Sequence, residues 1–540
     1  MIAIDHIALE LAKRNLKLWT FPGGTIYPLY DACHRHGVET IVCRSEAGCG
    51  YAAIGAAKAT GEVQVVATTS GPGATNIVTP CADAYYDSAP VVFLTGQVGS
   101  ANVIGYSPLR QRGFQETHIK EIVKPIVKYV HQCFAPNSLV KRFIYALDIA
   151  NELRCGPALI DMPMDVQKGE YTGEFNIEIP PYAVRYSNVS RDNLYPLSNQ
   201  LSQLELLLAS SSRPVILVGA GCRGGIDQLR ALVERLGIPT VSSLPAVGFL
   251  PTNSPYYFGM VGHTGHPGAN LILQRSDLVI ALGARLDVRQ TGTETDAFVK
   301  DKKIVRIDID KNELDCSRVA VDLAIHARCE DVLDWLLKRN KYDAHTNWRY
   351  ECETTVDGMW SAKFVQREIA IIMESISEQS PEDCIFVTGV GSHQQHAARH
   401  LNLDYPRRQF ITSSGHGCMG AGLPMAIGCA ISTGRKICLI DGDGSFQMSM
   451  NELGTVASRD LDIDIHIINN RCGGIVSQFA RLQGYSPQET TWPNPDFNMI
   501  ADAYGLNLTV HDCEDEGVWP IMEGGRGLDD MTWSEEGSKL

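Results

Sequence analysis

The feature that most constrains this fold is an alternation repeated along 540 residues: short runs rich in β-branched residues, each followed by a segment of helical period. Strands joined through helices pair in parallel and need helices on both faces of the sheet. Residues 64–68 and 91–94 read as strands and residues 47–60 as a helix. Residues 214–218, 278–282 and 303–308 read as a second set of strands, and 384–388, 436–440 and 463–468 as a third. A chain of this length exceeds what one hydrophobic core supports. The stretch 179–196, with Pro180-Pro181 and no period, reads as a linker, and the polar, aromatic-dotted run 338–354 as another. The expected architecture is therefore α/β, three doubly wound parallel-sheet domains at residues 1–175, 195–340 and 360–540.

Composition narrows the class. Apolar residues make up 44% and charged residues 20%, the balance of a globular enzyme. A net charge of -15 argues against a nucleic-acid partner, which needs a basic face. The sixteen cysteines form no CxxC pair, so they read as reduced, mostly buried thiols. No run reaches the roughly 20 apolar residues of a membrane span. The expectation is a soluble, cytoplasmic enzyme acting on small molecules.

The third block carries the chemistry. Its order is strand, acidic glycine turn, helix, strand, paired asparagines: Asp441-Gly442-Asp443-Gly444-Ser445, then Asn451-Glu452-Leu453, then Asn469-Asn470. In a parallel sheet both strand ends lie on one edge, where ligands bind beside helix N-termini. Asp443 and Asn470 can therefore reach one hard cation. An Asp, an Asn and a backbone carbonyl suit Mg²⁺, which prefers six oxygen ligands. The plainer reading is a glycine turn followed by two loop asparagines.

With 24 residues between Gly444 and Asn469, this segment resembles the GDG…NN signature of thiamine diphosphate enzymes. The resemblance implies Mg²⁺ on Asp443, Asn470 and the carbonyl of Cys472, with the diphosphate over Gly442, Gly444, Ser445 and Gly474. Val390-Gly391-Ser392-His393-Gln394 resembles the loop that holds the diphosphate. Ser413-Ser414-Gly415-His416-Gly417-Cys418-Met419-Gly420 resembles the segment whose apolar residue, here Met419, wedges between the cofactor's rings, with Gly417 beside it. In the first block, Arg44-Ser45-Glu46-Ala47-Gly48 and Thr69-Ser70-Gly71-Pro72-Gly73-Ala74-Thr75-Asn76 resemble acetolactate-synthase segments. Glu46 is then the carboxyl that meets N1′ of the aminopyrimidine, with Gly24, Pro72 and Asn76 around that ring. Taken alone, Glu46 is an acid favoured at a helix N-terminus.

The resemblance also bears on the substrate. Gly113-Phe114-Gln115-Glu116 is similar to the FQE string of acetolactate synthases, placing Phe114 and Gln115 in the pocket. Gly259-Met260-Val261-Gly262-His263 and Gly283-Ala284-Arg285-Leu286-Asp287-Val288-Arg289 resemble the flavin-binding version of the middle block. They imply FAD near Gly221, His263, Arg285 and Asp308. Arg289 matches the arginine that grips an acceptor carboxylate. Phe479 stands where the family's G-M-V-x-Q-W string has its acceptor-recognising tryptophan. Other segments, including Leu109 to Glu116, are closer to acetolactate-synthase-like carboligases of branched-deoxysugar (yersiniose-type) pathways. The expected reaction is decarboxylation of pyruvate and transfer of the two-carbon unit to a nucleotide-linked keto-deoxysugar, with Arg110, Arg112 and Lys120 as a cationic entrance. The alternatives are a second pyruvate or 2-ketobutyrate as acceptor, a flavin-dependent 2-keto acid oxidase, and a non-catalytic homologue. The family's assembly implies a homodimer or homotetramer with active sites between subunits. After residue 506 the chain passes quickly into an acidic tail, so the closing strand of the third sheet is expected to be missing.

Overall fold

The computed structural model describes residues 1–105, 107–173, 198–339, 345–360 and 367–513. Three parallel sheets follow one another along the chain. The first contains β1 (Leu18–Thr20), β2 (Thr40–Val42), β3 (Gln64–Thr68), β4 (Val91–Gln97), β5 (Tyr129–Gln132) and β6 (Ala158–Pro163), in the order β2-β1-β3-β4-β6-β5. The second contains β7 (Pro214–Val218), β8 (Thr240–Ser242), β9 (Tyr257–Met260), β10 (Leu278–Leu282), β11 (Lys303–Asp308) and β12 (Leu323–His326), in the order β12-β11-β10-β7-β8-β9. The third contains β13 (Ile385–Thr388), β14 (Gln409–Thr412), β15 (Ile437–Gly442), β16 (Ile463–Asn469) and β17 (Thr509–Asp512), in the order β14-β13-β15-β16-β17. Central strands such as β4 and β15 are buried along their whole length, as expected where helices cover both faces.

Two expectations are corrected. The run 338–354 is not a linker throughout, because Thr346–Trp360 is a helix. Trp348 and Cys352, one turn apart, are its buried anchors, and the Trp348 indole donates to the Pro214 carbonyl at 3.1 Å. So few apolar positions leave the helical period faint in the sequence. The closing strand is present: β17 pairs in parallel with β16, His466 opposite Thr509 and Asn469 opposite Asp512. It is a short edge strand with half-exposed side chains, so it lacks the apolar run of its neighbours. Residues 179–196, 340–344 and the acidic tail beyond 513 lie outside the described residues.

The sixteen cysteines are free thiols; Cys316 is exposed, Cys155 and Cys513 are half-buried, and the others are buried. Among the described residues, no helix is long and apolar enough to cross a membrane.

The first and third blocks share a core. Ser45 caps the Glu46–Thr60 helix by accepting the Gly48 N–H at 3.0 Å, and Gly61 ends it in the left-handed region, φ 77°. Beyond its first turn the helix is almost entirely apolar, so it is buried all round. It crosses the Gly422–Thr433 helix so closely that a Cβ on Gly55 would lie 2.2 Å from the Met425 carbonyl. One on Gly428 would lie 1.8 Å from the Ala52 carbonyl. Trp19, Ile54, Met425, Ile427, Phe446 and Phe497 belong to the cluster that surrounds this crossing. Because the obstructing atoms are backbone, they cannot turn aside. Gly428→Val is expected to destabilise the protein by about 3 kcal/mol or more, the upper range for overpacking, read as a lowered midpoint in denaturant unfolding.

Candidate active site

β15 and β16 pair in register, with Gly442 opposite Ile468, so the acidic turn and the paired asparagines leave the sheet at one edge. Asp443 opens the Asp443–Gln447 helix and is 2% exposed. Burial pushes its carboxyl above the ordinary range, and hydrogen bonds from Asn494 and the Gly444 backbone oppose that shift. The Asn470 side-chain oxygen accepts the Cys472 N–H at 3.2 Å, and the Cys472 carbonyl accepts the Gly474 N–H at 3.1 Å. A carboxylate after β15 and an amide oxygen and a backbone carbonyl after β16 are thus carried on the same edge of the sheet. Gly474 opens the helix Gly474–Leu482, which carries Phe479, 48% exposed.

Behind the turn, the His393 ring occupies space that a Cβ on Gly391 or Gly442 would enter, at 2.7 Å from either. Burial holds His393 at about 4, so it is neutral at ordinary pH. Ser392 starts the Ser392–His400 helix, and Gln394 directs its amide to the Thr412 hydroxyl at 2.6 Å and the Ser413 carbonyl at 3.0 Å. Ser413 then organises the wedge loop: its Oγ accepts the Gly417 and Cys418 N–H groups at 3.1 and 2.9 Å and donates to Asp83 at 2.5 Å. Gly417 and Gly420 have φ of 75° and 79°, where only glycine is unstrained. Ser445 accepts the Gly420 N–H at 3.0 Å, tying this loop to the acidic turn. Met419, at the tip, is 41% exposed.

The residues expected around the pyrimidine also gather. Glu46 is the first residue of its helix, and Asn76 donates to its Oε2 at 3.0 Å. Gly73 has no side chain, and a Cβ there would lie 3.2 Å from Glu46 Oε1. Pro72 opens the short Pro72–Asn76 helix. Gln115, at φ 63°, packs on Gly71, while Phe114 is 86% exposed. The turn containing Gly24 is joined to this region through Thr25, whose hydroxyl meets that of Thr69 at 2.9 Å and accepts the Ser70 N–H at 3.0 Å.

In the central sheet, β7 turns to β8 on one side and to β10 on the other, and Gly221 and Gly283 meet backbone to backbone at that switch point. Arg285 pairs with Asp287 at 2.8 Å. Asp308 is buried, which raises its carboxyl pKa, and it accepts the Asp310 N–H at 2.9 Å. Nearby is a cleft of about 150 Å³ lined by Tyr85, Tyr86, Lys128, Arg154, Cys155, Arg285 and Glu313. Arg154 bridges Asp310 and Glu313 at 2.7 and 2.9 Å. The Arg289 carbonyl accepts the His263 N–H at 3.0 Å, and Thr264, next in the chain, bonds Gln395 at 2.7 Å. The Arg289 loop therefore rests against the helix that opens at Ser392.

Comparison with known proteins places all three blocks. Residues 3–122 match the N-terminal TPP-binding domain of thiamine pyrophosphate enzymes, 201–336 their central domain and 389–518 their C-terminal TPP-binding domain. The chain belongs to the thiamine pyrophosphate enzymes. It is 35% identical to the acetolactate synthase isozyme 2 large subunit of Escherichia coli (strain K12), over 95% of each chain. Identity is also 35% to the acetolactate synthase large subunit of Corynebacterium glutamicum, over 98% of this chain and 85% of that one. This thiamine pyrophosphate enzyme is accordingly an acetyl-transferring carboligase of the acetolactate-synthase type.

Sequence reasoning passed over Asn494, Arg154, Tyr85, Glu313 and Ser413. Ser413 opens the glycine-rich string of the wedge loop but has no role in the motif, and the other four lie outside the glycine strings and are brought in from a neighbouring loop or block. Ser413→Ala in this thiamine pyrophosphate enzyme leaves two N–H groups of the wedge loop without an acceptor. It is expected to cost about 1–3 kcal/mol, measured as a lower melting midpoint of the cofactor-free protein.

Proposed function

We propose that this carboligase decarboxylates pyruvate and joins the two-carbon unit to a second 2-keto acid, pyruvate or 2-ketobutyrate. Arg289 carries this reading. It is half-buried, burial lowers its pKa, and among the described residues its guanidinium has no hydrogen bond or ion pair. A desolvated guanidinium without an acceptor is suited to a carboxylate, which it can take bidentately. The relatives' printed activity, acetolactate synthase, agrees. A nucleotide-linked keto-deoxysugar is the second reading, favoured by Phe479, which lacks the tryptophan's N–H and larger face and is half exposed.

The residues fit Mg²⁺ and thiamine diphosphate. Among the described residues no three His, Cys, Asp or Glu side chains converge as a metal site, so a cation here needs amide, carbonyl and diphosphate oxygens. Asp443, Asn470 and the Cys472 carbonyl supply the protein's share. When bound, thiamine diphosphate supplies a carbon that accepts the electron pair released on decarboxylation. With the group bound, Glu46, held by Asn76, would hold a proton at the aminopyrimidine, Met419 would pack against its rings, and Gln115 and Phe114 would line the pocket. For FAD, the cleft of about 150 Å³ lined by Tyr85, Tyr86, Arg154 and Arg285 is smaller than a dinucleotide needs, so it would take only one end of the flavin cofactor, with Gly221, His263 and Asp308 on other turns of the central block.

We also propose that two copies complete each site. In the helix crossing, Ala52 faces Gly428 and Gly55 faces Met425, so the two helices run antiparallel. Glu46 at the start of one and Met419 just before the other therefore stand at opposite ends. The separation is on the order of 15–20 Å at 1.5 Å per residue. A second chain is needed to bring a Glu46 to a Met419.

Glu46→Ala is expected to keep thiamine diphosphate and Mg²⁺ bound while CO₂ release from pyruvate falls by roughly 10²–10⁴-fold, the usual weight of a positioned proton-transfer group; undiminished CO₂ release would remove Glu46 from the mechanism. Mass-spectrometric product analysis decides the acceptor. Pyruvate alone is expected to yield acetolactate, and Arg289→Met to suppress it. Slow self-condensation, with rapid adduct formation once a nucleotide-linked keto-deoxysugar is added, would establish the second reading instead.

A further inference from the structure

The chain beyond the Gly474–Leu482 helix returns across the edge where Asp443 stands. Gly473 N–H donates to the Thr490 carbonyl at 2.8 Å and Trp492 N–H to the Arg471 carbonyl at 3.2 Å, while Cys472 and Thr491 form an antiparallel bridge. This pairing lays two side chains on the acidic turn. The Trp492 indole lies against Gly444, where a Cβ would come within 2.6 Å of it. Asn494 Nδ2 donates to Asp443 Oδ2 and to Asn469 Oδ1, each at 2.6 Å. Its own Oδ1 accepts from Gln447 Nε2 at 2.9 Å.

A primary amide has two N–H donors and one acceptor oxygen. Asn494 uses all of them on groups at the ends of β15 and β16 and on the helix between those strands. A carboxylate or hydroxyl cannot reproduce that set. The arrangement also answers a problem specific to this edge. Asp443 and Asn469, both buried, present oxygen acceptors to one place, and the Asn494 amide is the side-chain donor that bridges them. Where a carboxylate ligates a cation, the groups hydrogen-bonded to it set its orientation and are worth roughly 10–100-fold in metal affinity.

We propose that Asn494 is a positioning residue for the cation. By donating to Asp443 Oδ2 it leaves the other carboxylate oxygen for the metal. By donating to Asn469 it fixes the strand end that carries Asn470. Trp492, seated on Gly444, is the indole that reports on the turn. The inference rests on the reading of Asp443 as a cation ligand and adds to it a residue 51 positions away that acts through Asp443 and Asn469.

The test is calorimetric titration of Mg²⁺ into the full-length protein at saturating thiamine diphosphate, in wild type, Asn494→Ala, Asn494→Leu and Asp443→Ala. Leucine keeps the volume of the amide and removes its hydrogen bonds, so it covers the case in which alanine unfolds the edge. Both Asn494 variants are expected to raise the Mg²⁺ dissociation constant by roughly 10–100-fold and Asp443→Ala to raise it further. In parallel, the fluorescence change on Mg²⁺ addition is expected to disappear in Trp492→Phe and to shift to higher Mg²⁺ concentration in Asn494→Leu. A purely structural role would lower the melting midpoint and leave the dissociation constant where it is; that result overturns the proposal. If Asp443→Ala also left Mg²⁺ affinity unchanged, the metal assignment itself would fall, so the two failures are distinguishable.

Discussion

The contact on which the molecule depends is the crossing of two apolar helices, Glu46–Thr60 and Gly422–Thr433, with glycine set against backbone on both sides. Interiors are close-packed, so an approach this tight leaves one relative position for the two helices. Everything attached to their ends inherits that position. At one end of the crossing Lys58 bonds Asp87 and the Thr412 carbonyl, and Asp87 accepts the N–H groups of Ser414 and Gly415. The wedge loop is thus anchored to the first block as well as to its own sheet. At the other end, the buried Glu452 accepts the Arg44 N–H and the Ser45 hydroxyl, seating the turn that presents Glu46.

These two anchorages hold the two parts of the proposed active site, Glu46 and Met419, apart within one chain. Met419 and Glu46 are each fixed by contacts to the opposite block, yet the antiparallel crossing sets them a helix length apart. The proposed need for a second copy thus rests on the rigid placement of both halves, not on flexibility. The exposure of Phe114 and Met419 has the same origin, since each is an apolar side chain held out by a tightly bonded turn.

Much of this was legible in the sequence because parallel sheets have a strong signature. β3 and β7 are continuous apolar or β-branched runs, and the acidic turn follows β15 where a ligand edge must lie. Glycine strings marked the turns at Gly71, Gly417 and Gly420 because only glycine enters the left-handed region without strain. The sequence was silent where structure is made by few or distant residues. The Thr346–Trp360 helix is anchored by Trp348 and Cys352, and β17 is a short edge strand. Asn494 reads as one polar residue in a proline-containing loop, and only the register of residues 490–492 against 471–473 puts its amide between Asp443 and Asn469. The match of a motif names residues that contact a ligand; it has no means of naming those that hold the contacts in place.

The same edge also bears on how the proposed cation and cofactor would depend on each other. Its buried ionisable groups are Asp443, Asp441 and His393, and burial keeps the imidazole uncharged at ordinary pH while pushing the Asp441 carboxyl up to about 7; the exposed Arg471, between Asn470 and Cys472, pairs with Asp512 at 3.3 Å. The buried groups of the edge thus offer no positive charge to a diphosphate, and the Arg471 guanidinium is already paired with Asp512. Carboxylates and phosphate oxygens repel one another strongly where water is scarce. A divalent cation between them turns that repulsion into two attractions, which makes cation and cofactor each strengthen the other's binding by the same factor. Helix N-termini at Asp443, Ser392 and Gly474 add partial positive charge, but a fraction of a unit each does not replace a divalent ion. On the proposed assignment, the donor set at the ends of β15 and β16 would be part of how the diphosphate is held, and the Asn494 amide that orders those donors would act on both ligands at once.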